Sequence, residues 1–95
     1  VRLTDERWDH ISRRHPEMGE QKARVLETVG APDQVQEGDG GAMLAIRLYP
    51  GTPLTTKFLV VVYREISAED GFVITSYFTT RPSVSRRVIW KHSES

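Results

Sequence analysis

Two imidazoles and three guanidiniums fall within ten consecutive residues of this chain, Arg7-Trp8-Asp9-His10-Ile11-Ser12-Arg13-Arg14-His15-Pro16. A histidine titrates near neutrality and can take or give a proton, and arginines bind phosphate and stabilise charge on a pentacoordinate phosphorane. Cleavage of RNA by its own 2′-hydroxyl requires little more. On a helix His10 and Arg14 are neighbours four residues apart, with Arg7 one turn earlier. The competing reading is structural, an exposed His10 beside arginines that pair with Glu6 or Glu17. His15 shares a stripe with Trp8 and Ile11, so it is expected to be a hydrogen-bonded, half-buried histidine that caps the helix end. A zinc site is disfavoured, because His10 and His15 are about 140° apart around a helix, whereas paired ligands sit four residues apart. The third imidazole, His92, stands near the end of the chain.

Thr75, Tyr77, Thr79 and Arg81 alternate along a second segment and would form a row of hydroxyls ending in a cation on one strand face. Such a row can hold phosphate oxygens, and Tyr77 can stack on a base. A solvated sheet face has the same composition. Arg86 and Arg87, beside Trp90 and Lys91, can contact a nucleic-acid backbone or simply face solvent. Gly38-Asp39-Gly40-Gly41 has no Lys-Ser/Thr and no helix after it, so it is expected as a hairpin turn rather than a phosphate loop.

Those residues need elements to position them. Thr4 is a good N-cap and Asp5 and Glu6 suit a first turn, so a helix is expected from there to His15, ahead of Pro16. Trp8, Ile11 and His15 would pack, with Arg7, His10 and Arg14 at the margin. A second helix is expected from Glu17 to Val29, with Ala23, Val25, Leu26 and Val29 as its apolar positions. Beyond Gly30 and Pro32 the period becomes two: a short strand at Val35, one over Ala42 to Tyr49, an apolar one over Lys57 to Glu65, one over Phe72 to Thr80, and an edge strand at Val88-Ile89-Trp90. Phe72, Ile74, Ser76 and Phe78 should meet the helices and Val73, Thr75, Tyr77 and Thr79 should look outward. The order predicts an α+β fold, two N-terminal helices packed on one face of a four- to five-stranded antiparallel sheet. His10 would then reach Thr75 or Tyr77 only around a sheet edge or end.

Ninety-five residues are expected to make a single domain spanning 1–95, excised from something longer if the missing initial Met is a guide. Its core would be thin enough to favour a partner or a homodimer. Charged residues make up 27% of the chain with a formal net charge of zero, so any contact with a polyanion must be local. Cysteine is absent, which removes disulfides and thiolate chemistry and fits a reducing, cytoplasmic setting. No apolar run approaches the length of a signal peptide or a membrane span. No cofactor signature is present.

His10-Ile11 with Arg14-His15-Pro16, a helix ending near Ala31-Pro32-Asp33, the strands Phe58 to Tyr63 and Phe72 to Tyr77, and a closing Ile89-Trp90-Lys91 resemble the phage-associated nuclease domains of the barnase/EndoU/colicin/RelE-like group. The resemblance covers most of the chain. It implies metal-independent RNA cleavage through a 2′,3′-cyclic phosphate, in a toxin, phage effector or toxin–antitoxin setting with an antitoxin or immunity protein as partner. Carried over by position, His10 would be the general acid/base and Arg14 a phosphate ligand. Thr75, Tyr77 and Arg81 would be the strand contribution, and His15 a supporting or alternative base. Arg7, Thr79, Arg86 and Arg87 would bind substrate. Such toxins are commonly basic, whereas this chain is neutral, so the alternative is a non-catalytic RNA- or protein-binding module of the same fold; a small-molecule enzyme is a third, weaker reading.

Overall fold

The computed structural model describes residues 2–50, 56–67, 70–82 and 84–91. Helix α1 (Asp5–Arg14) begins where its capping residues predict: the Arg7 N–H donates to the Thr4 hydroxyl at 3.1 Å, with Asp5 and Glu6 in the first turn and Arg13 and Arg14 in the last. Pro16 ends it, since the residue before a proline is excluded from helical backbone. His15 accordingly lies at φ −129°, ψ 79°.

The second helix starts later than its sequence suggests. Pro16–Met18 forms a 3-10 turn, and α2 spans Lys22–Gly30. Gly19, a poor helix former, stands at the break. Val25, Thr28 and Val29 make the stripe that faces the sheet, at helical spacing, while Ala23 and Leu26 are exposed rather than buried. Thr28 is buried without cost to its hydroxyl, which donates to the Arg24 carbonyl at 2.7 Å.

Five strands, β1 (Gln34–Glu37), β2 (Met43–Pro50), β3 (Thr56–Glu65), β4 (Gly71–Thr79) and β5 (Val88–Lys91), form one antiparallel sheet in the order β4-β3-β2-β1-β5. With two N-terminal helices on one face, this is the expected α+β architecture. Gly38 to Gly41 joins β1 to β2, and Gly40 and Gly41 have φ of 61° and 84°, a backbone that side chains disfavour. The helix side of the sheet buries Ala45, Leu59, Val61, Tyr63 and Val73 against Ile11, Met18 and Val25. The opposite side buries Leu44, Ile46 and Val60, flanked by Phe58, Val62 and Tyr77. Both faces are covered, which is why β3 is apolar on both.

The simple alternation expected for β4 fails at one residue. Val62 pairs with Thr75 but Tyr63 pairs with Val73, so Ile74 is the extra residue of a β-bulge. The bulge reverses the faces before it: Val73 enters the helix-side core, and Phe72 turns to the other side, 36% exposed. After it the expected pattern holds, with Phe78 on the helix side and Tyr77 opposite. At the free edge of β4, Arg2 bonds to Gly71 and Val73 through its backbone, and α1 lies alongside. Among the described residues no helix is long and apolar enough to cross a membrane.

Candidate functional site

Because α1 lies against an edge strand, its polar margin meets the bulge rather than the middle of the sheet. Arg7, His10, Arg14 and His15 join Ile74 and Thr75 around a cleft of about 500 Å³. The route from His10 to Thr75 runs around the sheet edge, and α1 is placed at that edge. The bulge withdraws Ile74 from the ladder, and the Arg7 guanidinium approaches its carbonyl at 3.5 Å, a contact too long to anchor the side chain firmly. His15 lies 6.3 Å from the Tyr77 ring, centroid to centroid and tilted by 34°, so Tyr77 reaches the cleft around the edge through His15. A smaller depression of about 350 Å³, lined by Thr4, Glu6, Arg7 and His10, adjoins it. Glu6, named in the sequence only as a first-turn acid and a partner for the arginines, is thereby also a carboxylate neighbour of His10, at a spacing of four residues.

Among the described residues the cleft wall carries guanidiniums and imidazoles and no carboxylate. On α1, Asp9 pairs with Arg13 at 2.8 Å and Asp5 with Lys22 at 3.2 Å. Among the described residues none of Arg7, His10 and Arg14 is in an ion pair; of the two carboxylates expected to pair with the arginines, Glu6 lines the adjoining depression, and the Glu17 side chain lies outside what is described. His10 and Arg14 are exposed, and Arg7 and His15 are half-buried. Ile11, fully buried between them in sequence, fixes the helix face that presents them.

Other residues singled out in the sequence do not come to the cleft. The Thr79 hydroxyl is engaged locally, accepting from the Arg81 N–H at 3.2 Å and donating to the Arg81 carbonyl at 3.1 Å. Arg81 stands six residues beyond Thr75, about 20 Å along an extended chain. Arg86 directs both terminal nitrogens at the Asp39 carboxylate, each at 3.3 Å. That hydrogen-bonded pairing, and then its charge, holds the Asp39 carboxyl below its ordinary value and raises Arg86. Arg87 is exposed next to β5, on the far edge of the sheet, about 19 Å from β4 at ordinary strand spacing. His92 lies outside the described residues. Among the described residues no three His, Cys, Asp or Glu groups converge as metal ligands would.

A second cavity of about 510 Å³ lies between the end of α2 and β5, lined by Gly30 to Asp33, Val35, Arg47 and Trp90. It holds less chemistry than the cleft, because Arg47 is already engaged by the Ala31 carbonyl at 2.6 Å and by Glu27 at 3.3 Å. No protein-family model matches the chain, and no curated protein or solved structure matches it. The geometry of the cleft therefore carries the functional reading.

Proposed function

We propose that the chain is a metal-independent endoribonuclease of toxin or phage-effector type, with the cleft between α1 and the β4 bulge as its active site. The observation that carries this reading is the convergence of His10, His15, Arg7 and Arg14 on one cleft that Thr75 of β4 also lines. The 2′-oxygen of a ribose attacks the adjacent phosphorus while His10 takes its proton. The bond from phosphorus to the 5′-oxygen breaks, and that oxygen takes a proton for which His15 is the second imidazole on the wall. Arg7 and Arg14 neutralise the phosphorane, and Thr75 orients it. A wall of cations repels a divalent metal ion, which suits chemistry that needs none. A toxin of this kind acts in the cytoplasm and requires an antitoxin or immunity protein in the cell that makes it.

The test is incubation of the purified protein with total RNA in EDTA. Fragments ending in a 2′,3′-cyclic phosphate are expected, and His10→Ala, with an unchanged circular dichroism spectrum, is expected to slow their formation by about 10²- to 10⁴-fold. Undiminished cleavage by the folded variant would reject the assignment. RNA binding without cleavage would favour the non-catalytic module, the reading to which the zero net charge lends support.

A further inference from the structure

Two rings on the helix side of the sheet, Tyr49 and Phe78, have cations over them near the place where β2 ends and β3 begins. Lys57 is opposite Tyr49 in the ladder and Phe78 is opposite Leu59, so the two rings lie on the strands to either side of the lysine. Their surroundings differ. Tyr49 is closed, because the guanidiniums of Arg24 and Arg47 lie 5.2 and 5.7 Å from its centroid and its hydroxyl donates to Glu27 at 2.6 Å. Phe78 packs against the helix-side core and is half-buried, and among the described residues the one cation over its ring is the Lys57 ammonium, at 5.9 Å. Lys57 is exposed, and among the described residues no carboxylate pairs with it. Lys57, Phe78, Thr79 and Thr80 line a hollow of about 190 Å³. Phe78 follows Thr75 of the cleft by three residues, about 10 Å along the strand, and Tyr77 between them meets His15.

We propose that Phe78 and Lys57 form a stacking platform for one unpaired base of a single-stranded RNA that runs on from the cleft along β4. The base lies on the Phe78 ring, and the Lys57 ammonium turns from the ring to the adjoining phosphate. The path of the strand rests on the ribonuclease reading above; the platform itself rests on the ring, the cation and the hollow. A lysine over an exposed ring is held more weakly than a base stacked on one, so the exchange is favourable, and the ammonium gains an anion that it lacks in the free protein. The hollow is smaller than the roughly 300–1,000 Å³ of ordinary small-molecule pockets, which suits a single planar group and not a whole ligand. Every base has a face to stack, so the platform selects for a base free of its partner and not for a sequence; a base in a duplex would first have to leave its stack. An acidic peptide could satisfy Lys57 but would leave the ring unused.

The probes are a 2′-O-methyl uridine octamer, which lacks the attacking hydroxyl and stays intact, the same octamer without its bases, and an octaglutamate peptide, each titrated into the full chain. Tighter binding of the octamer that carries bases is expected. Phe78→Leu keeps an apolar side chain against the core and removes the ring; it should weaken that octamer about tenfold, leave the abasic one unchanged, and leave the circular dichroism spectrum as it was. Phe78→Trp should restore the affinity. Lys57→Ala should reduce the slope of log affinity against log salt by about 0.7 for both oligomers. If Phe78→Leu does not fold, Phe78→Trp decides: its added indole fluorescence should be quenched by the octamer with bases and not by the abasic one. Equal affinity of the wild type for the two oligomers overturns the proposal, as does a Phe78→Leu affinity that is unchanged or that falls equally for both. Displacement of the octamer by octaglutamate would assign Lys57 to an acidic protein segment and also reject it. Because this octamer is not cut, platform binding by a chain that leaves natural RNA intact would remove the nuclease reading alone, and His10-dependent cleavage without a Phe78 effect would remove the platform alone.

Discussion

Arg14 follows His10 by one helical turn on the cleft wall, and its planar fork of donors suits the paired oxygens of a phosphate better than an ammonium does. Charge and shape can be separated there. Arg14→Ala is expected to lower the cleavage rate constant about 10²-fold, the usual loss when one donor to a developing oxyanion is removed. It should also reduce the slope of log affinity against log salt for single-stranded RNA by about 0.7, the signature of one fewer neutralised phosphate. Arg14→Lys should restore the salt slope and only part of the rate. Single-turnover cleavage and salt-dependent binding of the three proteins check both halves. If Arg14→Ala matches the wild type in slope and rate, Arg14 does not touch the phosphate.

At the scale of elements, α1 matters because it carries four of the six cleft residues on ten helical positions and the residue after them. Its start depends on Thr4, whose hydroxyl satisfies one of the orphan N–H groups of the first turn. Thr4→Ala is expected to cost about 1 kcal/mol, a fall in Tm of roughly 4–8 °C for a domain of this size. Well below Tm, cleavage should change little, because Ile11 is completely buried and still clamps the helix. Calorimetry beside kinetics at 20 °C would show whether stability and activity separate in this way. The same helix shows what can be read from a sequence: cap, first-turn acids, stripe and stop are local features, and all appear in the fold. The β4 bulge was hidden because strict alternation over Phe72 to Thr79 looks complete, and only the unbroken apolar run Phe72-Val73-Ile74 hinted at an extra residue. The late start of α2 was hidden because Met18 and Val25 are both buried, yet Gly19 breaks the helix that a single stripe implied. What the residue types of the cleft could do was legible; that α1 would lie on an edge strand was not, since strand order is a matter of long-range pairing.

Across the whole molecule, the face of the sheet opposite the helices needs its own cover, because Leu44, Ile46 and Val60 are buried there. The chain between β4 and β5 must travel from one edge of the sheet to the other, and Pro82, Val84 and Arg86 accompany Gln34, Gln36 and Phe58 around one hollow on that face. Arg86 fastens this strap to Asp39 in the β1–β2 turn by a surface ion pair. The Asp39 carboxyl is held below its ordinary value of 3.8 by the Arg86 hydrogen bonds first and the Arg86 charge second. A group whose folded-state pKa is depressed contributes stability that is complete above the unfolded value and is lost as pH falls through the folded value. The fastening should thus be intact at neutral pH and weaken below about pH 3.8, on the acid side only. Asp39→Asn is expected to lower Tm modestly at pH 6, in keeping with an exposed pair, and its Tm curve should converge with the wild type as pH falls toward 2.5. Arg86→Gln removes the other partner without touching the turn, and should flatten the same acid limb. Parallel curves for wild type and both variants from pH 6 to 2.5 would mean that the strap is held by its apolar contacts and not by the ion pair.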